Sequence, residues 1–291
     1  MSMEIAKTQD TNFATRPSTT AAKKLLYGCN DLGFAPYSEY WRQMKKMSVL
    51  RLLSVKRVQS FRFIREQEVA LLIEKISRAC QLRNSINLIE LLTILSNYLI
   101  SRAAFSRKFE EEDDDSRRIG PLTMERTSQE LDKLLDQVIR GHVSTIDDQR
   151  SKDQRDGEDF LDILLQAQKD STLDIPITRD NIKAISLDMF IGGSDTTAIT
   201  VEWSMTELVK NPKVMRKAHE VRRVVGKKSK FEEDDIPQMA YLKVVIKETL
   251  RLHPPAPFFI PRESIRAINV NGYHIPAKTN LHRCLGNSKS G

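Results

Sequence analysis

Phe190-Ile191-Gly192-Gly193-Ser194-Asp195-Thr196-Thr197 lies in the middle of a stretch that otherwise reads as one long helix. Two adjacent glycines inside a helix cost roughly 1 kcal/mol each relative to alanine. A sequence carries that cost where something must approach the backbone closely, or where the helix must open locally. An acid and two hydroxyls follow the glycines at once, which places proton-handling groups at that opening.

Working outward, most of the chain reads as helix. Thr178 can cap the glycine-bearing helix, and a short helix is expected before it over Asp159–Gln168. Asn211-Pro212 starts the next one, since proline suits a first helical position, and Gly226 with its lysines ends it. A further helix runs from Ile236-Pro237 through Leu252 to Pro254-Pro255. Upstream, Ser38 caps a segment through Met47, and an apolar stripe predicts one helix from about Val55 to Ala79. Asn87 with Glu90, and Thr127 with Glu130, are spaced as capping boxes. Glu110 to Asp115 and Gln149 to Glu158 read as polar loops. Strand character comes late, at Phe258-Phe259-Ile260 and Ile268-Asn269-Val270. Asn271-Gly272 before Tyr273-His274-Ile275 then signals a hairpin. The expected fold class is mainly α (α+β), a helical bundle with a small β-sheet near the C-terminus.

Composition limits function. The 291 residues carry 46 Lys and Arg against 39 Asp and Glu, a net charge of +7, but the signs are interspersed along predicted helices. That pattern argues against nucleic-acid binding and suits a solvated surface or a basic face for an acidic partner. Cys29, Cys80 and Cys284 show no metal-ligand spacing and no disulfide framework. Met1 to Pro17 has no apolar segment, and no run of about 18 apolar residues is expected to span a bilayer.

Lys247-Glu248-Thr249-Leu250-Arg251 holds a Glu-x-x-Arg pair on one helix face, and Tyr40-Trp41-Arg42-Gln43-Met44-Lys45-Lys46 stands near the start. With the glycine-acid-threonine stretch, these motifs make the chain resemble the cytochrome P450 haem-thiolate monooxygenases, plant A-type, from about Phe13 to Leu281. The resemblance implies a partial cytochrome P450 fold, with 1–291 forming one incomplete haem-monooxygenase domain. It implies haem (iron protoporphyrin) as cofactor, a small hydrophobic plant metabolite as substrate, and an NADPH-dependent reductase as electron donor. Intact members sit on the cytosolic face of the endoplasmic reticulum membrane. This chain shows no anchor, so a cytoplasmic or peripheral location is expected.

By the same resemblance, Gly192 and Gly193 let the helix pass close to haem and leave room for dioxygen. Asp195 and Thr196 relay protons toward the oxygen being activated; the alternative is a threonine bonded back to its own helix beside a solvated aspartate. Trp41 and Arg262 face the haem propionates, though Arg262 also reads as an exposed strand arginine. Lys45 stands where the family usually has arginine, keeping the charge but losing the bidentate fork. Glu248 and Arg251 form a structural ion pair. Phe258, Phe259 and Ile260 line a substrate pocket or fill a core strand.

The family's iron ligand sits in a Phe-x-x-Gly-x-Arg-x-Cys-x-Gly loop. Aligned on Cys284, only that cysteine and Gly286 match, while Ala277, Asn280 and His282 replace Phe, Gly and Arg. No metal ligand is therefore assigned, residues 282–291 are expected to be an out-of-frame tail, and haem binding is expected to be weak or absent. The segment between about Asp115 and Leu131 is also shorter than in the family. The alternative from another class is a non-catalytic helical remnant acting as a binding module, or a pseudogene product.

Overall fold

The computed structural model describes residues 5, 8–108, 124–148 (side chains to 143), 158–170, 174–219, 226, 232–258 and 260–282. These are mainly helical, with a few short strands near the end of the chain, as expected. They fall into two compact units, each assembled from separated segments of chain. The first takes residues up to Ser60, Ser101–Ile191 and Phe258–Arg283; the second takes Phe61–Ile100 and Gly192–Pro257.

In the first unit, α1 (Thr20–Leu25) starts where the Thr19 hydroxyl accepts a hydrogen bond from the Ala22 N–H. Ser38 caps α2 (Glu39–Met47) in the same way, accepting from the Trp41 N–H. A π-helical turn over Ser48–Leu52 follows, then α3 (Val55–Ser60). The helix expected from Val55 to Ala79 is two: Phe61 interrupts it, and α4 (Arg62–Gln81) begins afresh in the second unit.

The next helix, α5 (Leu88–Phe105), opens with the Asn87 side chain accepting from the Glu90 N–H. It is long and apolar enough, by length and composition, to cross a membrane, which corrects the expectation of no such run. Helix α6 (Met124–Asp148) starts before Thr127, so Thr127 is an interior residue rather than a cap. Both α1 and α7 (Phe160–Lys169) pack on α6. Asp159 begins α7 with a reciprocal capping box with Asp162.

The long helix α8 (Arg179–Lys210) starts after Thr178, whose hydroxyl accepts from the Asn181 N–H while the Asn181 side chain accepts from the Thr178 N–H. Its residues up to Ile191 belong to the first unit and the rest to the second. Ile182, Ala184 and Ile185 are almost wholly buried, as are Leu135, Val138, Leu161 and Leu164 of the same unit. In the second unit, α9 (Pro212–Ala218) begins with proline as anticipated, and α10 (Ala240–Leu252) packs on it. Leu208, Ala218 and Val245 form their core, covered by Val214, Met215 and Tyr241.

Four short strands follow in the first unit: β1 (Arg262–Glu263), β2 (Ile268–Val270), β3 (Tyr273–Ile275) and β4 (Asn280–Leu281). The Asn271-Gly272 hairpin forms as read, with both residues at positive φ and Ile268 opposite Ile275. β1 pairs antiparallel with β4 and is bridged by Thr15 from the start of the chain. The first strand thus lies two residues beyond the expected Phe258–Ile260, since Pro261 cannot donate to a ladder. Glu110 to Asp115, Phe259, Cys284 and the 282–291 tail beyond His282 lie outside the described residues, as does 149–157 of the second polar loop.

Candidate functional site

The two glycines of α8 differ in what surrounds them. A β-carbon on Gly192 would meet nothing within 4 Å, whereas one on Gly193 would lie 2.7 Å from Ile100 Cγ1 and closer still to Ile100 Cδ1. Gly193 is therefore the close-approach glycine, and what approaches it is α5. Such packing is how a core helix sits in a protein interior. Gly192 leaves bare backbone on an exposed stretch of helix.

Beyond them, α8 carries a run of back-bonded hydroxyls. Thr196 Oγ1 donates to the Gly192 carbonyl, Thr200 to that of Thr196 and Ser204 to that of Thr200, each at 2.7 Å. Ser204 also donates to Thr249 Oγ1 at 3.2 Å, tying α8 to α10. This is the back-bonded geometry considered for Thr196, and it leaves the oxygen lone pairs able to accept. Asp195 is exposed one position earlier, and Ser194 is buried with a hydroxyl that has no partner.

Glu248 and Arg251 pair bidentately at 2.6 and 2.8 Å, with both side chains about half exposed. The Arg251 guanidinium holds the Glu248 carboxyl below its usual range. An apolar groove beside them is lined by Leu208, Val214, Tyr241, Val244 and Leu252.

The propionate-facing candidates fall in the first unit. Trp41 donates its indole N–H to the Leu32 carbonyl at 3.0 Å, and the Lys45 ammonium sits 4.5 Å over the indole ring. Arg262 is paired with Asp10 at 2.5 Å and borders Arg16, whose guanidinium donates to the Ile260 and Pro261 carbonyls at 2.9 and 3.2 Å. Burial and the neighbouring Arg262 pull Arg16 below its ordinary value, the signature of crowded cations. Indole N–H, ammonium and guanidinium are the donor types that carboxylates select, so this set fits the propionates of haem. Phe258 is 65% exposed and Ile260 39% exposed, so these two do not form a core strand.

Sequence reading passed over the carboxyl pair Asp31 and Asp188. Both are carried in the first unit, where Asp188 Oδ2 accepts from the Leu32 N–H at 2.5 Å and Asp31 Oδ2 from the Phe34 N–H at 2.8 Å. Burial, with Asp31 adding to it, pushes the Asp188 carboxyl up to about 7 against the pull of the Leu32 and Gly33 N–H groups. The available signal was a lone acid within the otherwise apolar run Leu187-Asp188-Met189-Phe190-Ile191.

Comparison with known proteins gives the family. The family model for Cytochrome P450 matches residues 121–287. Cytochrome P450 71A1 of Persea americana is 48% identical over 96% of the chain and 62% of its own length. A desmethylyatein synthase of Sinopodophyllum hexandrum is 42% identical over 96% of the chain and 61% of its own. A phenylacetaldehyde oxime monooxygenase of Prunus mume is also 42% identical, over 97% of the chain and 59% of its own. The chain thus spans about three fifths of the length of these relatives. Among solved structures, a zebra fish cytochrome P450 with abiraterone superposes with a TM-score of 0.81 at 21% identity, over 98% of this chain and 69% of its own.

Proposed function

Because the chain belongs to the cytochrome P450 family, we propose that it serves haem-dependent monooxygenation of a small apolar plant metabolite, with electrons from an NADPH-dependent reductase. The observation that carries this reading is the α8 stretch, where Gly192 offers bare backbone and Asp195 and Thr196 follow it in the next turn. When bound, haem supplies the iron at which dioxygen is activated. Every other task falls to side chains.

Lys45 and Arg262 would hold the propionates through the ammonium and the guanidinium, joined by the Trp41 indole N–H once it exchanges the Leu32 carbonyl for a propionate. Among the described residues Lys45 has no carboxylate partner, so its charge is the most readily committed; Arg262 would share its guanidinium with Asp10. Thr196 Oγ1 would accept a proton-donating bond while donating its own hydrogen, and the exposed Asp195 carboxylate would exchange that proton with solvent. Exposed Phe258 and Ile260 favour an apolar substrate. None of these residues is assigned as the iron ligand, since around Cys284 only that cysteine and Gly286 match the family's ligand loop. By family, the working location is the cytosolic face of the endoplasmic reticulum, and an acidic reductase suits the net charge of +7.

A haem titration of the purified chain, followed by absorbance, tests the reading. Saturable binding, against the weak or absent binding expected from the unmatched ligand loop, would support the reading, and Trp41→Phe with Lys45→Met, which removes two donors, should weaken it at least about tenfold. Failure of the folded chain to bind haem, or unchanged affinity in the double variant, would refute the assignment. A thiolate-type spectrum abolished by Cys284→Ser would make that cysteine the iron ligand.

A further inference from the structure

Arg262 is held by one corner of its guanidinium and open along an edge. Its Nη1 donates to Asp10 Oδ1 at 2.5 Å and to the Phe13 carbonyl at 3.5 Å, both from the N-terminal segment. Its Nε and Nη2 have no partner among the described residues. That edge is the fork that meets a carboxylate with two parallel hydrogen bonds. A fork is selective only where the backbone beneath it is fixed, because a free arginine stem samples many rotamers.

The strand beneath Arg262 is short. β1 has 2 residues, paired with β4 and bridged by Thr15. From Glu263 onward the backbone is tied to the N-terminal segment: Glu263 donates to the Thr15 carbonyl at 3.0 Å and Ile265 to that of Asn12 at 2.9 Å. Before Arg262 this device fails, because Pro261 has no N–H to give. The fastening there is a side chain. Arg16 Nη1 donates to the Ile260 carbonyl at 2.9 Å and to the Pro261 carbonyl at 3.2 Å. One nitrogen thus spans the two peptide groups immediately before Arg262. Arg16 and Ile260 each precede a proline, which disfavours the helical region for both backbones and stiffens the contact at its two ends. The like charge of Arg262 opposes Arg16, and the charges of Asp10 and Asp31 offset it.

We propose that Arg16 is a positioning residue: by gripping the Ile260 and Pro261 carbonyls it sets the backbone from which Arg262 presents its Nε–Nη2 edge to a haem propionate. Arg16 acts through Arg262 rather than on haem itself. The same grip fixes the exposed Ile260, so one side chain sets the carboxylate-binding and the apolar parts of the site together. The inference rests on the haem reading for its ligand and on these hydrogen bonds for the grip.

Haem titrations of the parent, Arg16→Met, Arg262→Met and the double variant, followed by absorbance, separate this role from others. Arg262→Met should weaken binding about tenfold and Arg16→Met about fivefold. In the Arg262→Met background, Arg16→Met should change affinity by less than about twofold, since nothing is left to position. An Arg16→Met loss of equal size in both backgrounds, or no loss in the parent, overturns the proposal. Hydrogen exchange of the haem-free chains reads the grip by itself. Arg16→Met should speed exchange of the Glu263 and Ile265 N–H groups about tenfold and leave that of Leu164, inside α7, unchanged. Unchanged exchange at Glu263 and Ile265, or equal acceleration at Leu164, overturns it. If the parent binds no haem, the haem reading fails, and the exchange result alone upholds or overturns the grip.

Discussion

Trp203 and His253 stack face to face in the second unit, with ring centroids 3.9 Å apart and planes within 4° of parallel. His253 Nε2 also meets Glu207 Oε1 at 3.0 Å, so the imidazole joins α8 to the end of α10 through both a face and an edge. Stacked pairs contribute about 0.5–1.5 kcal/mol beyond their buried area. A double-mutant cycle with Trp203→Leu and His253→Leu, read by urea unfolding, should return a coupling of that size. Additive effects would mean the stack contributes nothing of its own.

Gly192 and Gly193 should respond oppositely to alanine. Gly192→Ala adds a methyl to open space within a helix and should stabilise by roughly 0.5–1 kcal/mol. Gly193→Ala drives a methyl into Ile100 and should destabilise by about 1–3 kcal/mol. Ile100→Ala removes both close atoms, so Gly193→Ala/Ile100→Ala should cost clearly less than the sum of the two single changes. Thermal midpoints of the four chains decide the matter.

His142 supplies a pH dependence of known sign. Its Nε2 lies 2.7 Å from Asp159 Oδ2 in a largely buried setting. Burial alone would pull the imidazole down, but the hydrogen bond and charge of Asp159 outweigh it and hold His142 above its ordinary 6.5. A raised folded value means the contribution is whole below pH 6.5 and is lost as pH rises through the folded value. His142→Gln should therefore lower stability by about 1 kcal/mol at pH 6 and by less at pH 8.5. Asp188 titrates in the same direction, so the comparison between the two chains, rather than either curve, isolates His142.

Glu248→Ala should leave the thermal midpoint of this chain within about 1 °C of the parent, because a half-exposed pair is hydrated once broken. A chain that no longer folds would show that the pair holds more than its own helix. Added salt should likewise have little effect on it.

Local chemistry made much of this legible in advance. Ser38, Thr178, Asn211-Pro212 and Asn271-Gly272 each act within four residues, and each does in the structure what its side chain or backbone predicts. The failures are of two kinds. Phe61 and Thr127 show packing overriding a local pattern, in one case breaking a helix and in the other continuing one past its apparent cap. Leu32 with Asp188, and Gly193 with Ile100, are partners far apart in the chain that no periodicity links. The glycine pair was visible as an anomaly; that only one member is sterically required was not.

The strand β1 has a consequence in time. Arg262 pairs with Asp10 across 252 residues, and Thr15 bridges to Glu263, so the Asp10–Thr15 segment lacks these partners until β1 is made. At about 5–20 residues per second, a ribosome takes roughly 12–50 seconds to cover that interval. Throughout it Phe13, fully buried in the finished fold, waits without its strand neighbours. The Asp10–Thr15 segment is thus open to chaperones throughout that interval.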